Sequence, residues 1–223
     1  MAEIKRLEWD SDFFGIEVGE WIGDGIAESA GHFDLLYRET SALINEKMPG
    51  FECSFLEQKL IFGKDLLHTV SVDNAIRDYS SEKSTMELYQ LAYESGKYSR
   101  FKLDPRMKSD DFERMYRLWL DNSVSKTFAT GVLIYQIDEI VAGFVTYAIK
   151  GRVGNIGLIA VSPSYQGRGI GKKLVTAVES ALISNGIFEL QIPTQSSNIE
   201  ACAFYKKLGY NIIMSKHIKH FWK

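Results

Sequence analysis

Residues 161–175, VSPSYQGRGIGKKLV, hold the chain's densest group of residues suited to binding chemistry. Gly167, Gly169 and Gly171 alternate with other residues between an apolar strand pattern and a helix pattern. Glycines at such a place let the backbone turn sharply and bring N–H groups close to a ligand. The helix that follows offers unpaired N–H groups and the positive end of its dipole, which suits a phosphate or pyrophosphate. Arg168, Lys172 and Lys173 add positive charge. Two phosphate motifs fail here. A P-loop needs glycine and Ser/Thr where Gln166 and Lys173 stand. A dinucleotide fingerprint needs its third glycine where Lys172 or Leu174 stands. What remains is Q-x-x-G-x-G: Gln166, Gly169 and Gly171.

A second constellation follows, N-x-x-A-x-x-F-Y-K-K-L-G-Y over residues 198–210. Its tyrosine, Tyr205, has a phenol whose ordinary pKa of about 10 suits a proton donor. Tyr205 also fits a buried helix face, since Ala201, Tyr205 and Leu208 recur at i, i+4 and i+7. Asn198 reads as a ligand group or as a helix cap. Ser197 with Glu200 spells a capping box, which would free Asn198 for a ligand. The Q-x-x-G-x-G loop, its Val161-Ser162-Pro163 entry and this second motif together resemble the GNAT N-acetyltransferase superfamily.

The resemblance implies a mixed α/β (α+β-like) fold, a central mixed twisted sheet flanked by helices. It implies acetyl-CoA as co-substrate and no metal. Gln166, Gly167, Arg168, Gly169, Ile170, Gly171 and Lys172 would hold the pyrophosphate. Ile159, Ala160 and Val161 would lie beside the pantetheine and thioester, an N–H near Ala160 or Val161 polarising the carbonyl. Asn198 and Ala201 would complete the coenzyme site, and Tyr205 would protonate the leaving thiolate as general acid. Many relatives carry a glutamate on the strand before the Gly turn. Residues 155–161 contain no acid, so the base is unassigned.

These groups need elements to hold them. Residues 97–223 have a regular pattern. Residues 98–103 read as a strand, and 110–120 as an amphipathic helix with Phe112, Met115, Tyr116, Trp119 and Leu120 on one stripe. Residues 131–137 and 140–149 read as an antiparallel hairpin, and 155–161 as a strand. A helix over 170–184, a strand over 188–194, a helix over 198–208 and a strand or hairpin over 210–222 follow. Residues 1–96 are looser: strands at 33–38 and 51–62, a short helix at 40–47, a linker at 70–83 and a helix at 86–96. In 51–62, Phe51, Cys53, Phe55 and Glu57 share one face. We therefore expect a small N-terminal α/β domain over 1–96, shaping the acceptor site, and an acetyltransferase domain over 97–223.

Composition limits the partners. Hydrophobic residues make up 45% of the 223, enough for a real core and too many for a disordered chain. The net charge of −3 argues against nucleic acid as a partner. No apolar run approaches the roughly 18 residues of a membrane span, and the charged N-terminus lacks a secretory pattern. Cys53 and Cys202 stand alone, which points to a reducing cytoplasm. His217 and His220, three apart on a strand, face opposite ways and make a poor metal pair.

LEWDSDFFGIEVGEW, YSRFKLDPRM, FERMYRLWLDNSV, NIGLIAVSPSYQGRGIG and QIPTQSSNIEA extend the resemblance over most of the chain. They look like the branch of TDP-4-amino-4,6-dideoxyhexose N-acetyltransferases, whose acceptor is the 4-amino group of a nucleotide-linked sugar and whose product feeds surface polysaccharide. On that reading Asp12 and Phe14, in the loop 9–15, Arg100 on its strand, and Thr194 and Gln195 are candidate acceptor contacts. The segment 9–15 also reads as a strand start with Phe13 and Phe14 in the core, and Arg100 as a solvated residue. A homodimer fits this branch. Two other functions stay open: acetylation of a protein N-terminus, polyamine or other small amine, and coenzyme A binding without catalysis.

Overall fold

Side-chain alternation and, at the centre of the sheet, a bulge between β7 and β8 shape the fold. The computed structural model describes residues 2–25, 30–68 and 71–223. In chain order these form β1 (Glu3–Arg6), α1 (Glu8–Phe14), β2 (Val18–Ile22), β3 (Leu35–Thr40), β4 (Glu52–Asp65), β5 (Ile76–Asp78), α2 (Met86–Ser95), α3 (Arg100–Leu103), α4 (Ser109–Val124), β6 (Gly131–Ile137), β7 (Ile140–Lys150), β8 (Val153–Val161), α5 (Ile170–Ser184), β9 (Glu189–Gln195), α6 (Ile199–Lys207) and β10 (Asn211–Trp222). The strands make one 10-stranded sheet in the order β1-β2-β3-β10-β4-β9-β8-β7-β6-β5. The β2–β3 and β8–β9 pairs are parallel and the others antiparallel. This is the mixed α/β sheet expected. β4, from the N-terminal stretch, lies between β10 and β9.

Strand period separates two cores. In β6, Leu133 and Tyr135 join the layer with α5 and α6, while Val132 and Ile134 join the layer with α1 to α4. Along α5, Leu174, Val178 and Leu182 recur every fourth residue and are fully buried. Each such burial contributes roughly 1.5–3 kcal/mol. A third, smaller cluster of Trp21, Phe33, Leu36, Met48 and Phe221 packs the β1–β3 end.

The bulge lies in β8. Val145 pairs with Ile159 and Tyr147 with Ile156, so Thr146 alone opposes Gly157 and Leu158. The extra residue reverses the alternation. Ile156 faces the α5 layer, whereas Leu158 and Ala160 face the α2 and α4 layer. The Thr146 hydroxyl accepts from the Leu158 N–H at 2.9 Å and holds the bulge. β8 pairs with β9 only through Gly154 and Asn155; past the bulge the two strands separate.

Several sequence expectations need correction. The 98–103 strand is the helix α3, because Ser99 accepts from Lys102 and Leu103 while Phe101 turns into the core. Its alternating pattern imitated a strand over too few residues to discriminate. The 9–15 loop is the helix α1. The expected helix at 40–47 is irregular: Thr40 bonds its own backbone at Ala42, and Glu46 is held by a forked pair with buried Arg38. The described part of the 70–83 linker contains β5, which pairs with β6; Val70 lies outside the described residues. Helix α4 runs on to Val124, and 211–222 is one strand.

One buried polar cluster ties α3 to the sheet. Asp104, just after α3, accepts from the Arg106 N–H at 3.0 Å and the Trp222 indole at 2.9 Å, and meets His220 Nδ1. The Asp104 and His220 side chains are wholly buried. Burial pushes His220 down to about 4 despite the pull of Asp104. Burial opposes ionisation of Asp104, yet the His220 and Trp222 hydrogen bonds outweigh it and hold the carboxyl below its usual range. A neutral imidazole therefore donates to a carboxylate. An unfolded histidine gains its proton near pH 6.5, the folded one only near 4. Stability is thus full above about pH 6.5 and falls as the pH drops toward 4, by roughly 1–3 kcal/mol. Thermal melts across this range should show a midpoint lowered by several degrees, and an NMR titration should show His220 neutral at pH 6 and gaining its proton only as the pH approaches about 4.

Candidate active site

Where β8 leaves β9, a cleft of about 960 Å³ opens. The Ser162 N–H donates to the Ala142 carbonyl at 2.9 Å. Bonded and non-bonded pairs alternate along an antiparallel ladder. Ala160 therefore spends its N–H on β7, while Ile159 and Val161 direct theirs into the gap. Of the two residues near which the sequence places a polarising N–H, Ala160 and Val161, only Val161 directs its N–H into the gap. The Gln166 side-chain amide donates to the Val161 carbonyl at 3.0 Å and draws the loop back onto β8.

The loop needs its glycines at two positions. Gly167 and Gly169 have φ of +75° and +77°, a region costly for other residues. Gly169 is the N-cap of α5, so the first N–H groups of the helix lack intrahelical partners. Ile170, Gly171 and Lys172 line the cleft at that end. Arg168 does not line it; its guanidinium lies over Tyr165 at 5.1 Å and donates to the Ser164 carbonyl. Lys173 is turned away, bonded to Tyr135 and Asp73 at 2.9 Å each.

Helix α6 forms the opposite wall with Asn198, Ala201, Phe204 and Tyr205. Asn198, not Ser197, is its N-cap: Oδ1 accepts from the Ala201 N–H at 3.1 Å. The amide nitrogen of Asn198, without a hydrogen bond among the described residues, is the group left for a ligand. The Tyr205 ring is buried against Phe204, Phe62 and Tyr210, with centroids 5.3, 5.5 and 6.2 Å away. Burial first, then the Cys202 sulfur, raise its phenol above the usual tyrosine value. It stays protonated at neutral pH.

The remaining wall joins N-terminal and central elements. Arg100 reaches it, stacked over Tyr37 at 4.4 Å, as do Thr194 and Gln195 at the end of β9. Asp12 and Phe14 do not. Asp12 points to solvent beside Arg6, and Phe14 packs in the core 6.0 Å from Phe101. Because 9–15 is helical, the residues it sends to the cleft are Trp9 and Asp10. Sequence reasoning also missed Glu39, Lys59, Tyr116 and Trp119, and gave Glu57 no role. A signal was present for two of these: Glu57 and Lys59 continue the period of Phe55, where charge is unusual, although a bulge at Ser54 puts Phe51 and Cys53 on the opposite face from Phe55 and Glu57. Burial raises the carboxyls of Asp10 and Glu57 above their usual range, while the Arg100 guanidinium opposes the shift. Burial, then Arg100, lowers the Lys59 ammonium. Among the described residues no three His, Cys, Asp or Glu side chains gather as metal ligands. No helix among them is long and apolar enough to cross a membrane.

Similar proteins agree with this architecture. A protein described as functionally unknown from Staphylococcus epidermidis is 14% identical, with a TM-score of 0.61, covering 98% of this chain and 90% of its own. A GNAT-family protein from Novosphingobium aromaticivorans is 16% identical, with a TM-score of 0.57, covering 85% and 74%. The PaiA N-acetyltransferase of Thermoplasma acidophilum, solved with coenzyme A, is 21% identical, with a TM-score of 0.53, covering 65% and 97%. At these identities the likeness is one of fold. The profile of the Acetyltransferase (GNAT) family matches residues 84–210. That match spans more than half of the chain, from α2 to the start of β10, and so includes the glycine loop and α6; the protein belongs to the GNAT family and is an acetyl-CoA-dependent N-acetyltransferase.

Proposed function

We propose that the protein acetylates the amino group of a nucleotide-linked amino sugar, of the TDP-4-amino-4,6-dideoxyhexose type. One observation carries this reading most. Trp9, Asp10, Glu39, Glu57 and Lys59 precede the family-matched segment, yet they line the same cleft as its glycine loop. The N-terminal portion, taken as a domain over 1–96, thus supplies much of the acceptor side. Lys59 and Arg100 provide cations for a diphosphate arm, and Trp9 with Asp10 offers an aromatic face and a carboxyl for a sugar. The whole-chain sequence resemblance points the same way. The homodimer belongs to this reading too: Ile212, Ile213 and Met214 are exposed where β10 has no β3 partner.

In the mechanism, the N–H groups of Ile170, Gly171 and Lys172, which line the cleft at the start of α5, hold the pyrophosphate. Gln166, Gly167 and Gly169 shape that loop. Ile159, Ala160 and Val161 lie along the pantetheine arm, and Asn198 and Ala201 close over it. The Val161 N–H stabilises the oxyanion as the amine attacks the thioester directly. Tyr205 gives its proton to the departing thiolate.

Three measurements test this reading. Free-thiol release from acetyl-CoA should require a TDP-4-amino-4,6-dideoxyhexose; no release across a panel of such sugars would remove the acceptor assignment. Tyr205→Phe should lower kcat by about 10²–10⁴-fold while acetyl-CoA still binds, and a wild-type rate would end its role as acid. Gly169→Val, forced into a left-handed backbone, should weaken coenzyme A binding about tenfold or more in calorimetry.

A further inference from the structure

We infer that Glu57 is the general base of the transfer, taking the proton that the acceptor ammonium must lose before attack. The inference rests on acetyl transfer to an amine, whichever amine that is. β4 carries Glu57 and Lys59 on one face, both lining the cleft. Lys59 pairs with Gln195, at the end of β9 where the gap opens, and Glu57 pairs with Ile218 of β10. Glu57 therefore stands one same-face step, about 7 Å, from the mouth of the gap.

Glu57 Oε2 is buried without a hydrogen-bond partner among the described residues. Such an atom is costly unless it has a task or a transient partner. Four of the seven buried unpartnered side-chain atoms belong to Tyr37, Glu57, Ser99 and His220. Arg100 joins this group: it stacks on Tyr37, follows Ser99 and exerts its charge on Glu57 and His220. Of the four, Glu57 alone is a carboxyl lining the cleft. Two other cleft carboxyls are engaged, Glu39 with Lys216 and Glu94 with Lys97, and Glu200 is exposed to solvent, which leaves Asp10 as the competing carboxyl. Burial also brings the Glu57 carboxyl toward the working pH, which a base requires.

The protons balance. Glu57 takes one proton from the ammonium. The nitrogen lone pair forms the C–N bond, the C–S bond breaks, and its electron pair leaves on sulfur, which Tyr205 protonates. The second nitrogen proton restores Tyr205, and Glu57 releases the net proton to solvent.

Carboxyl-¹³C glutamate NMR of wild type against Glu57→Gln needs no acceptor. The resonance lost in the variant should titrate above the ordinary carboxylate range; one within that range would overturn the inference. With the amino sugar, Glu57→Gln should lose about 10²–10⁴-fold in kcat/KM near neutral pH. The loss should shrink at high pH and with hydroxylamine, which is already neutral. A pH-independent loss, or an acid limb that vanishes in Asp10→Asn instead, would overturn the assignment. Glu57→Asp, which keeps a carboxyl, should retain the limb and serves if the glutamine variant fails to fold. A wild type inactive on the sugar refutes the acceptor reading alone, and the NMR result then decides this one.

Discussion

One extra residue in β8 governs the cleft. The bulge at Gly157 and Leu158, pinned by the Thr146 hydroxyl, lets β8 part from β9 after a two-residue parallel contact. A sheet seldom leaves a strand edge open in its middle, because each buried peptide group without a partner costs about 1–3 kcal/mol. Here the open edge carries the Ile159 and Val161 backbone groups, and Gln166 meets the Val161 carbonyl. An extended ligand bearing amides can supply the missing partners, as a peptide does when it adds to a sheet edge. The glycine loop then follows within eight residues of Val161, so strand edge and helix N-terminus stand at one place.

The acceptor side is held by a different kind of restraint. Arg100 lies on a helix of one turn, too short to be stable by itself. Packing of Phe101 and the buried Asp104 cluster keep that turn in place. Burial raises the Asp10 and Glu57 carboxyls and lowers the Lys59 ammonium there. This is the arrangement seen where carboxyls and amines must work near neutral pH.

The coenzyme half was legible in sequence because its signals are local. A strand, a glycine turn and a helix are contiguous, and the sequence pattern gives the same bounds for the 170–184 helix as the structure. The acceptor half was not, for it is assembled from distant pieces. Nothing near Glu57 shows that β9 and β10 will flank it. In α1, seven residues without a side-chain cap give no start signal, so the segment reads as a loop offering Asp12 and Phe14, whereas its helix brings Trp9 and Asp10 to the cleft. The capping box at Ser197 was plausible by spacing, but Asn198 took the Ala201 N–H.

The place of β10 bears on how the chain assembles. It is the last strand in sequence, yet it sits between β3 and β4, and its Lys216 bonds a residue 177 positions earlier. During synthesis the facing edges of β3 and β4 therefore wait unpaired until every other strand has been made. Such edges invite pairing with other chains, and contacts this distant slow folding. Arg38 and Glu39 on β3 and Glu57 and Lys59 on β4 place charge along these strands, and charge disfavours such pairing.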